Sequence, residues 1–109
     1  MSSESPVLDT LAAMTTASVE HNSLSPREYM LARLAALIAM DAPPLSYVAN
    51  AAAIEESGIT TEEIQGVMIT VAPVVGAPRV MSAGGHILRA LGIAIAVAEA
   101  ELEEASSQP

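Results

Sequence analysis

The stretch GITTEEIQGVMITVAPVVGAP, residues 58–78, decides the fold that we predict from the sequence. Thr60 and Glu63 have the spacing of a capping box, in which a hydroxyl and a carboxylate satisfy the free N–H groups at a helix start. They predict a helix over about 61–75, and Gly58 is typical of the end of the helix before it. Pro73 lacks an N–H group and is expected to kink or end the predicted helix.

The same kinds of signal recur along the chain. Ser25 and Glu28 form a second capping box, and Pro26 suits the first helical position, so a helix is expected to run to about Met40. Ser5 followed by a proline predicts an earlier helix, which ends in a loop over residues 20–23. Two further helices are predicted over about 44–57 and 78–104, the last containing a Gly84-Gly85 pair that favours close packing or a kink.

No segment alternates convincingly as a strand does, so the sequence predicts an all-α protein of about five to six helices. Its 109 residues suit one domain, which we place over residues 5–104 with flexible ends at 1–4 and 105–109. Hydrophobic residues make up 51% of the chain, with two tyrosines as the only aromatic side chains. So much apolar surface is difficult to bury in so short a chain, which predicts a homo-oligomer.

Charge and composition exclude several classes of function. The formal net charge is −9, with four arginines and no lysine, which argues against a nucleic-acid or anionic membrane partner. The absence of cysteine excludes disulfides, thiol redox chemistry and thiolate metal sites. The start lacks the pattern of a signal peptide, and the unbroken apolar runs are shorter than a membrane helix needs. We expect a cytoplasmic protein without membrane contact.

The order of these elements resembles the carboxymuconolactone decarboxylase family, which includes the alkylhydroperoxidase D-like proteins. The resemblance covers about residues 24–89, and its most specific part is the stretch 58–78 quoted above. It implies an alkylhydroperoxidase D-like, oligomeric helical fold, either a trimer or a hexamer.

The resemblance also implies where a site would lie, and there this sequence departs from the family. Peroxidase-type members carry Cys-x-x-Cys-x-x-x-His before the glycine, and those positions hold Pro43, Ser46 and Asn50 here. A family glutamate on the preceding helix falls near Met30. The decarboxylase branch has a histidine at the Asn50 position, with acidic and histidine residues just before it, where this chain has Leu45, Ser46 and Tyr47. The resemblance therefore implies a variant that is not a thiol peroxidase.

Two groups of residues remain as candidates. On the last predicted helix, Arg79, Ser82, His86 and Arg89 have the spacing of one helical stripe. Arg79 and Arg89 would bind a carboxylate or phosphate, and His86 would carry a proton as the catalytic residue. Alternatively, the stripe pairs with acidic residues of a neighbouring subunit or faces water.

The second group is Ser46, Tyr47 and Asn50, which share a helix and are candidates for ligand binding in a small polar pocket. Catalysis by Ser46 would require an adjacent base, and no nucleophile-elbow motif surrounds it. His21 lies in a predicted loop, where a solvated side chain is expected. No metal ligand set or cofactor motif is present, so neither a metal nor a cofactor is expected.

Two functions remain open from the sequence. One is a small-molecule protein that binds a carboxylate or lactone, or an acid–base enzyme of the lyase type. The other is a non-catalytic oligomeric interaction module that has lost the family's site.

Overall fold

A computed structural model describes residues 5–107, apart from the side chains of residues 94 and 107. Over this range the chain is helical with no strand, which confirms the predicted fold class. The five helices are α1 (Pro6–Glu20), α2 (Pro26–Ala39), α3 (Pro44–Glu56), α4 (Thr61–Val75) and α5 (Ala77–Ser107). Residues 1–4 and 108–109, parts of the predicted flexible ends, lie outside the described residues.

The predicted starts of α1, α2 and α4 are confirmed. Ser25 and Glu28 form a complete capping box on α2, and Thr60 and Glu63 form one on α4. Ser5 accepts a hydrogen bond from the N–H group of Leu8 at the start of α1. These local contacts satisfy donors that the first turn of a helix leaves free, and so they fix where each helix begins.

Two helix ends differ from expectation. Helix α4 continues for two residues past Pro73 and stops at Gly76, which has a φ of 88°. The missing N–H group of Pro73 removes one intrahelical bond but does not end the helix. Helix α5 begins one residue earlier than predicted and runs to Ser107, so residues 105–107 continue the helix instead of forming part of a separate tail.

The core lies between α2, α3, α4 and the first half of α5. Leu34 and Ile38 of α2 are fully buried, as is Ala83 of α5. A Cβ at Gly84 would lie 3.3 Å from the Cε of Met68 on α4, a tight contact with the end of a flexible side chain, so α4 and α5 lie close together at this point. Close packing at the Gly84-Gly85 pair was one of the two predicted alternatives.

Two segments lie outside this core. No other described helix packs closely against α1, and its large apolar side chains are exposed, including Val7, Leu8, Leu11, Met14 and Val19. The second half of α5 likewise exposes Leu91, Ile95, Val97 and Leu102. The radius of gyration is 16.1 Å, whereas about 13 Å is expected for a compact chain of this length. The described chain is therefore extended relative to a compact monomer.

In the described part of the chain, one helix is long and apolar enough to cross a membrane when length and composition are the only criteria: Ala77–Ser106 of α5. Its apolar residues do not form an unbroken run of that length in the sequence, so the segment was not predicted. Only 12% of its most apolar window is buried. The same length and composition also suit a helix that packs against another subunit, so the absence of membrane contact stays a prediction.

Candidate functional site

The end of α2 places a carboxylate in an unusual backbone conformation. Asp41 has a φ of 54° and is the one non-glycine residue with a positive φ among the described residues. Its N–H donates to the Ile38 carbonyl at 3.1 Å, and the N–H of Ala42 donates to the Leu37 carbonyl at 3.0 Å. This bonding is a Schellman motif, in which glycine is the usual residue at the left-handed position.

The Asp41 carboxylate faces the predicted stripe on α5. Ser82 Oγ donates to Asp41 Oδ1 over 2.7 Å, and His86 Nδ1 lies 3.3 Å from the same oxygen. Tyr47 of α3 lies near enough for the charge of Asp41 to affect the pKa of its phenol. We call these four residues, Asp41, Tyr47, Ser82 and His86, the Asp41 cluster.

Two polar atoms of the Asp41 cluster are buried without a hydrogen bond. The Tyr47 hydroxyl is one, and His86 Nδ1 is the other, because its contact with Asp41 has ion-pair distance without hydrogen-bond alignment. Burial, followed by the nearby charge of Asp41, raises the pKa of the Tyr47 phenol. Buried polar atoms are usually satisfied, so two such atoms around one carboxylate mark a candidate ligand site.

The arginines of the stripe do not share this cluster. Arg79 Nη1 donates to the carbonyl of Ala39 over 2.8 Å, so its guanidinium caps the C-terminal end of α2. Arg89 is exposed and makes no hydrogen bond or ion pair within residues 5–107. The structure thus brings Ser82 and His86 to an acidic residue of their own chain, whereas the alternative interpretation placed the acidic partner in a neighbouring subunit.

Asn50 contacts a different side of the molecule. Its Oδ1 accepts from Arg33 Nε over 2.8 Å, and its Nδ2 donates to the carbonyl of Ser46 over 2.7 Å. Arg33 Nη1 also donates to the Tyr29 hydroxyl over 3.0 Å, and that hydroxyl lies 3.0 Å from Ser18 Oγ. We call Tyr29, Arg33 and Asn50 the Arg33 cluster; the hydrogen bond to Ser18 links it to α1.

Tyr47 is buried, with 4% of its surface exposed, and lines a cavity of about 350 Å³. The other lining residues are mostly apolar and include Leu34, Ile54, Ile64 and Ile87. Ser46, Asn50 and His86 are not among them. The second candidate group therefore does not line one pocket there: Tyr47 faces this cavity and Asn50 faces Arg33.

Sequence reasoning missed Asp41 and Arg33. The available signal for Asp41 was its place after a predicted helix end, where aspartate tolerates a left-handed conformation. The signal for Arg33 was a cation four residues after Tyr29 on a largely apolar helix. Met30, near the family's glutamate position, is a buried core residue. Among the described residues, no group of three or more histidine and acidic side chains could hold a metal ion.

Comparison with known families accounts for this architecture. The sequence profile of the carboxymuconolactone decarboxylase family matches residues 5–89, which span α1 to the middle of α5. No curated protein and no solved structure gave a match. The chain contains no cysteine and so lacks the family's cysteine site. Because the match covers most of the chain, the protein is a member of the carboxymuconolactone decarboxylase family.

Proposed function

We propose that the protein binds a small carboxylate or lactone and transfers protons to or from it, as an acid–base enzyme of the lyase type. The observation that carries this proposal is the Asp41 cluster, in which a carboxylate lies 3.3 Å from His86 Nδ1 and near the buried phenol of Tyr47. Family membership supports a ligand site on this scaffold, and the absence of cysteine excludes thiol chemistry.

The proposed roles start from the contacts. Asp41 lies 3.3 Å from His86 Nδ1 and would hold a protonated imidazole by charge, which would leave Nε2 of His86 to exchange a proton with the ligand. The neutral Tyr47 hydroxyl would donate a hydrogen bond to a ligand oxygen, which would satisfy an atom that has no partner in the described chain. Asp41 is a positioning residue in this scheme, and His86 is the catalytic residue.

The experiment is a panel of small lactones and carboxylates, assayed for turnover and for a shift in melting temperature. We expect at least one compound to stabilise the protein, because a ligand that binds only the folded state raises its stability. His86→Gln should abolish turnover of that compound. A broad panel with neither turnover nor stabilisation would contradict the proposal.

A second candidate function is a non-catalytic homo-oligomeric module, either a trimer or a hexamer. The supporting observation is the exposed surface of 7802 Å², whereas about 5,700 Å² is expected for a compact monomer of this mass. An excess of about 2,000 Å² is in the range that permanent subunit interfaces bury. Light scattering should give an oligomer at micromolar concentration; a monomer would contradict assembly and leave the enzyme proposal to the panel.

A further inference from the structure

Arg33 is a half-buried cation without a carboxylate partner. Its hydrogen bonds go to two neutral acceptors, Asn50 Oδ1 and the Tyr29 hydroxyl, and it forms no ion pair within residues 5–107. Arg27, which is more exposed, pairs with Glu63 and also donates to the carbonyl of Gly58. In a chain with thirteen acidic residues, the less accessible of the two arginines is the one without a counter-ion.

The contacts of Arg33 hold its charge in place without neutralising it. A guanidinium has five N–H donors, and the two hydrogen bonds leave three of them without a partner in the described chain. The Arg33 guanidinium lies 5.9 Å from the ring centre of Tyr29, which restricts the side chain further. Such a held, uncompensated guanidinium suits recognition of a carboxylate or phosphate.

Tyr29, whose hydroxyl accepts a hydrogen bond from Arg33, also lines a cavity between α1, α2 and α3, whereas Arg33 and Asn50 lie outside its lining. This cavity has a volume of about 420 Å³, and its lining residues include Val19, Leu24, Tyr29, Met30, Ala53 and Glu56. Most of these side chains are apolar. Glu56 is the one acidic residue in the lining and lies six residues beyond Asn50 on α3, about 9 Å along the helix axis.

We infer that the Arg33 cluster and this cavity form a binding site for a small amphipathic carboxylate. The carboxylate binds the free N–H groups of Arg33, and the apolar body of the ligand lies against Val19, Leu24 and Met30. Asn50 holds the guanidinium in position. The ligand class rests on the proposed function, but the residues are separate from the Asp41 cluster.

The test is calorimetric titration with benzoate, benzamide and inorganic phosphate. Benzoate should bind the wild type more tightly than benzamide, which has the same ring without the charge. Arg33→Met should weaken benzoate binding roughly ten- to a hundredfold, as expected for the loss of a charge-assisted hydrogen bond. Phosphate should bind more weakly than benzoate, because it lacks an apolar body; equal or tighter phosphate binding would contradict the cavity's part in the site.

Two further variants make the result independent of folding defects. Arg33→Lys keeps the charge and loses the planar fork, so it should bind benzoate with intermediate affinity. Arg27→Met makes the same change in charge at a more exposed arginine, which pairs with Glu63, and should leave benzoate binding unchanged. Denaturant unfolding confirms that each variant is folded.

The outcomes separate this site from the Asp41 cluster. Unchanged benzoate affinity in Arg33→Met, or equal binding of benzoate and benzamide, would overturn the inference. Benzoate binding that is lost in His86→Gln but kept in Arg33→Met would assign the carboxylate to the Asp41 cluster instead. Absence of benzoate binding to the wild type would also overturn it, whereas turnover of the lactone panel would still decide the proposed function.

Discussion

The ends of α2 and α3 have the same backbone motif with different residues at its left-handed position. At the end of α3, Gly58 has a φ of 73°, and its N–H and that of Ile59 donate to Glu55 and Ile54. At the end of α2, Asp41 occupies the equivalent position with a φ of 54°. Glycine adopts this conformation without steric cost, whereas a residue with a Cβ does not.

The difference shows what Asp41 adds. No atom lies within 4 Å of a Cβ built at Gly58, so the turn at the end of α3 does not depend on a side-chain contact at this position. The corner at Asp41 turns the chain and also places a carboxylate against Ser82 and His86. A residue that adopts its backbone conformation less readily than glycine, but whose side chain contacts buried polar atoms, is typical of a functional position.

The largest expected effect is that of Asp41→Ala. Alanine tolerates the left-handed conformation less well than aspartate does, and the change removes the charged acceptor for Ser82, so unfolding free energy should fall by about 2–3 kcal/mol. Denaturant unfolding with an unchanged slope measures it. Asp41→Asn is the control, because asparagine tolerates the conformation and keeps an oxygen; an equal loss in both variants would contradict the backbone part of this account.

Gly58→Ala should have the next largest effect. The free energy of unfolding should fall by about 1–2 kcal/mol because alanine is strained in the left-handed conformation. The open space around this position means that steric contact adds nothing. Gly58→Asn is the matched control and should lose less, because asparagine visits this region more readily. If Gly58→Ala had the same melting temperature as the wild type, the left-handed conformation would not explain the difference between the ends of α2 and α3.

Asp41→Gly should change stability by less than about 1 kcal/mol. Glycine adopts the left-handed conformation without strain, and this gain offsets the loss of the hydrogen bond from Ser82. The same variant should lose the proposed activity, since His86 no longer has its carboxylate. Unfolding and turnover measured on one preparation separate these effects. Full turnover in Asp41→Gly would show that the carboxylate has no part in the chemistry.

Tyr47→Phe should leave stability unchanged or raise it by up to about 1 kcal/mol, because the hydroxyl that it removes is buried without a partner. Tyr29→Phe is the matched control: its hydroxyl contacts Arg33 and Ser18, so its loss should be destabilising. Thermal unfolding of both variants tests this. A marked loss of stability in Tyr47→Phe would show that the Tyr47 hydroxyl has a hydrogen-bond partner after all, which would contradict this account.

Titration of the two tyrosines should give two separate steps in phenolate absorbance. The hydrogen bond with Ser18, with a smaller contribution from Arg33, lowers the pKa of Tyr29, whereas burial and then Asp41 raise that of Tyr47. Tyr29 should therefore ionise first.

The raised pKa of Tyr47 also predicts a pH dependence of stability. Because the pKa of Tyr47 is higher in the folded state than the unfolded value of about 10, this group's contribution to stability is present below that pH and is lost as pH rises further. Tyr47→Phe should remove the later step and this loss; a single shared step would contradict the assignment.

The sequence was sufficient for the helices because their starts are local. Each capping box lies within four residues, and both are found as predicted. The end of α4 was less predictable, since whether Pro73 stops a helix depends on the surrounding packing. The candidate site depends on contacts between residues far apart: Asp41 and Ser82 are separated by 41 positions, and Arg33 and Asn50 by 17. Helical spacing correctly placed Ser82 and His86 on one face, but it did not indicate which residue they would face.

The most direct test of the central claim compares His86→Gln with His21→Gln for turnover of whichever lactone or carboxylate the wild type accepts. Both variants replace a histidine with the same amide, but His86 contacts Asp41 and His21 is an exposed residue at the end of α1. A proton-transferring residue contributes roughly 10²–10⁴-fold to rate. We predict a loss of that size in His86→Gln and an unchanged rate in His21→Gln. Equal rates in the two folded variants would contradict proton transfer by His86.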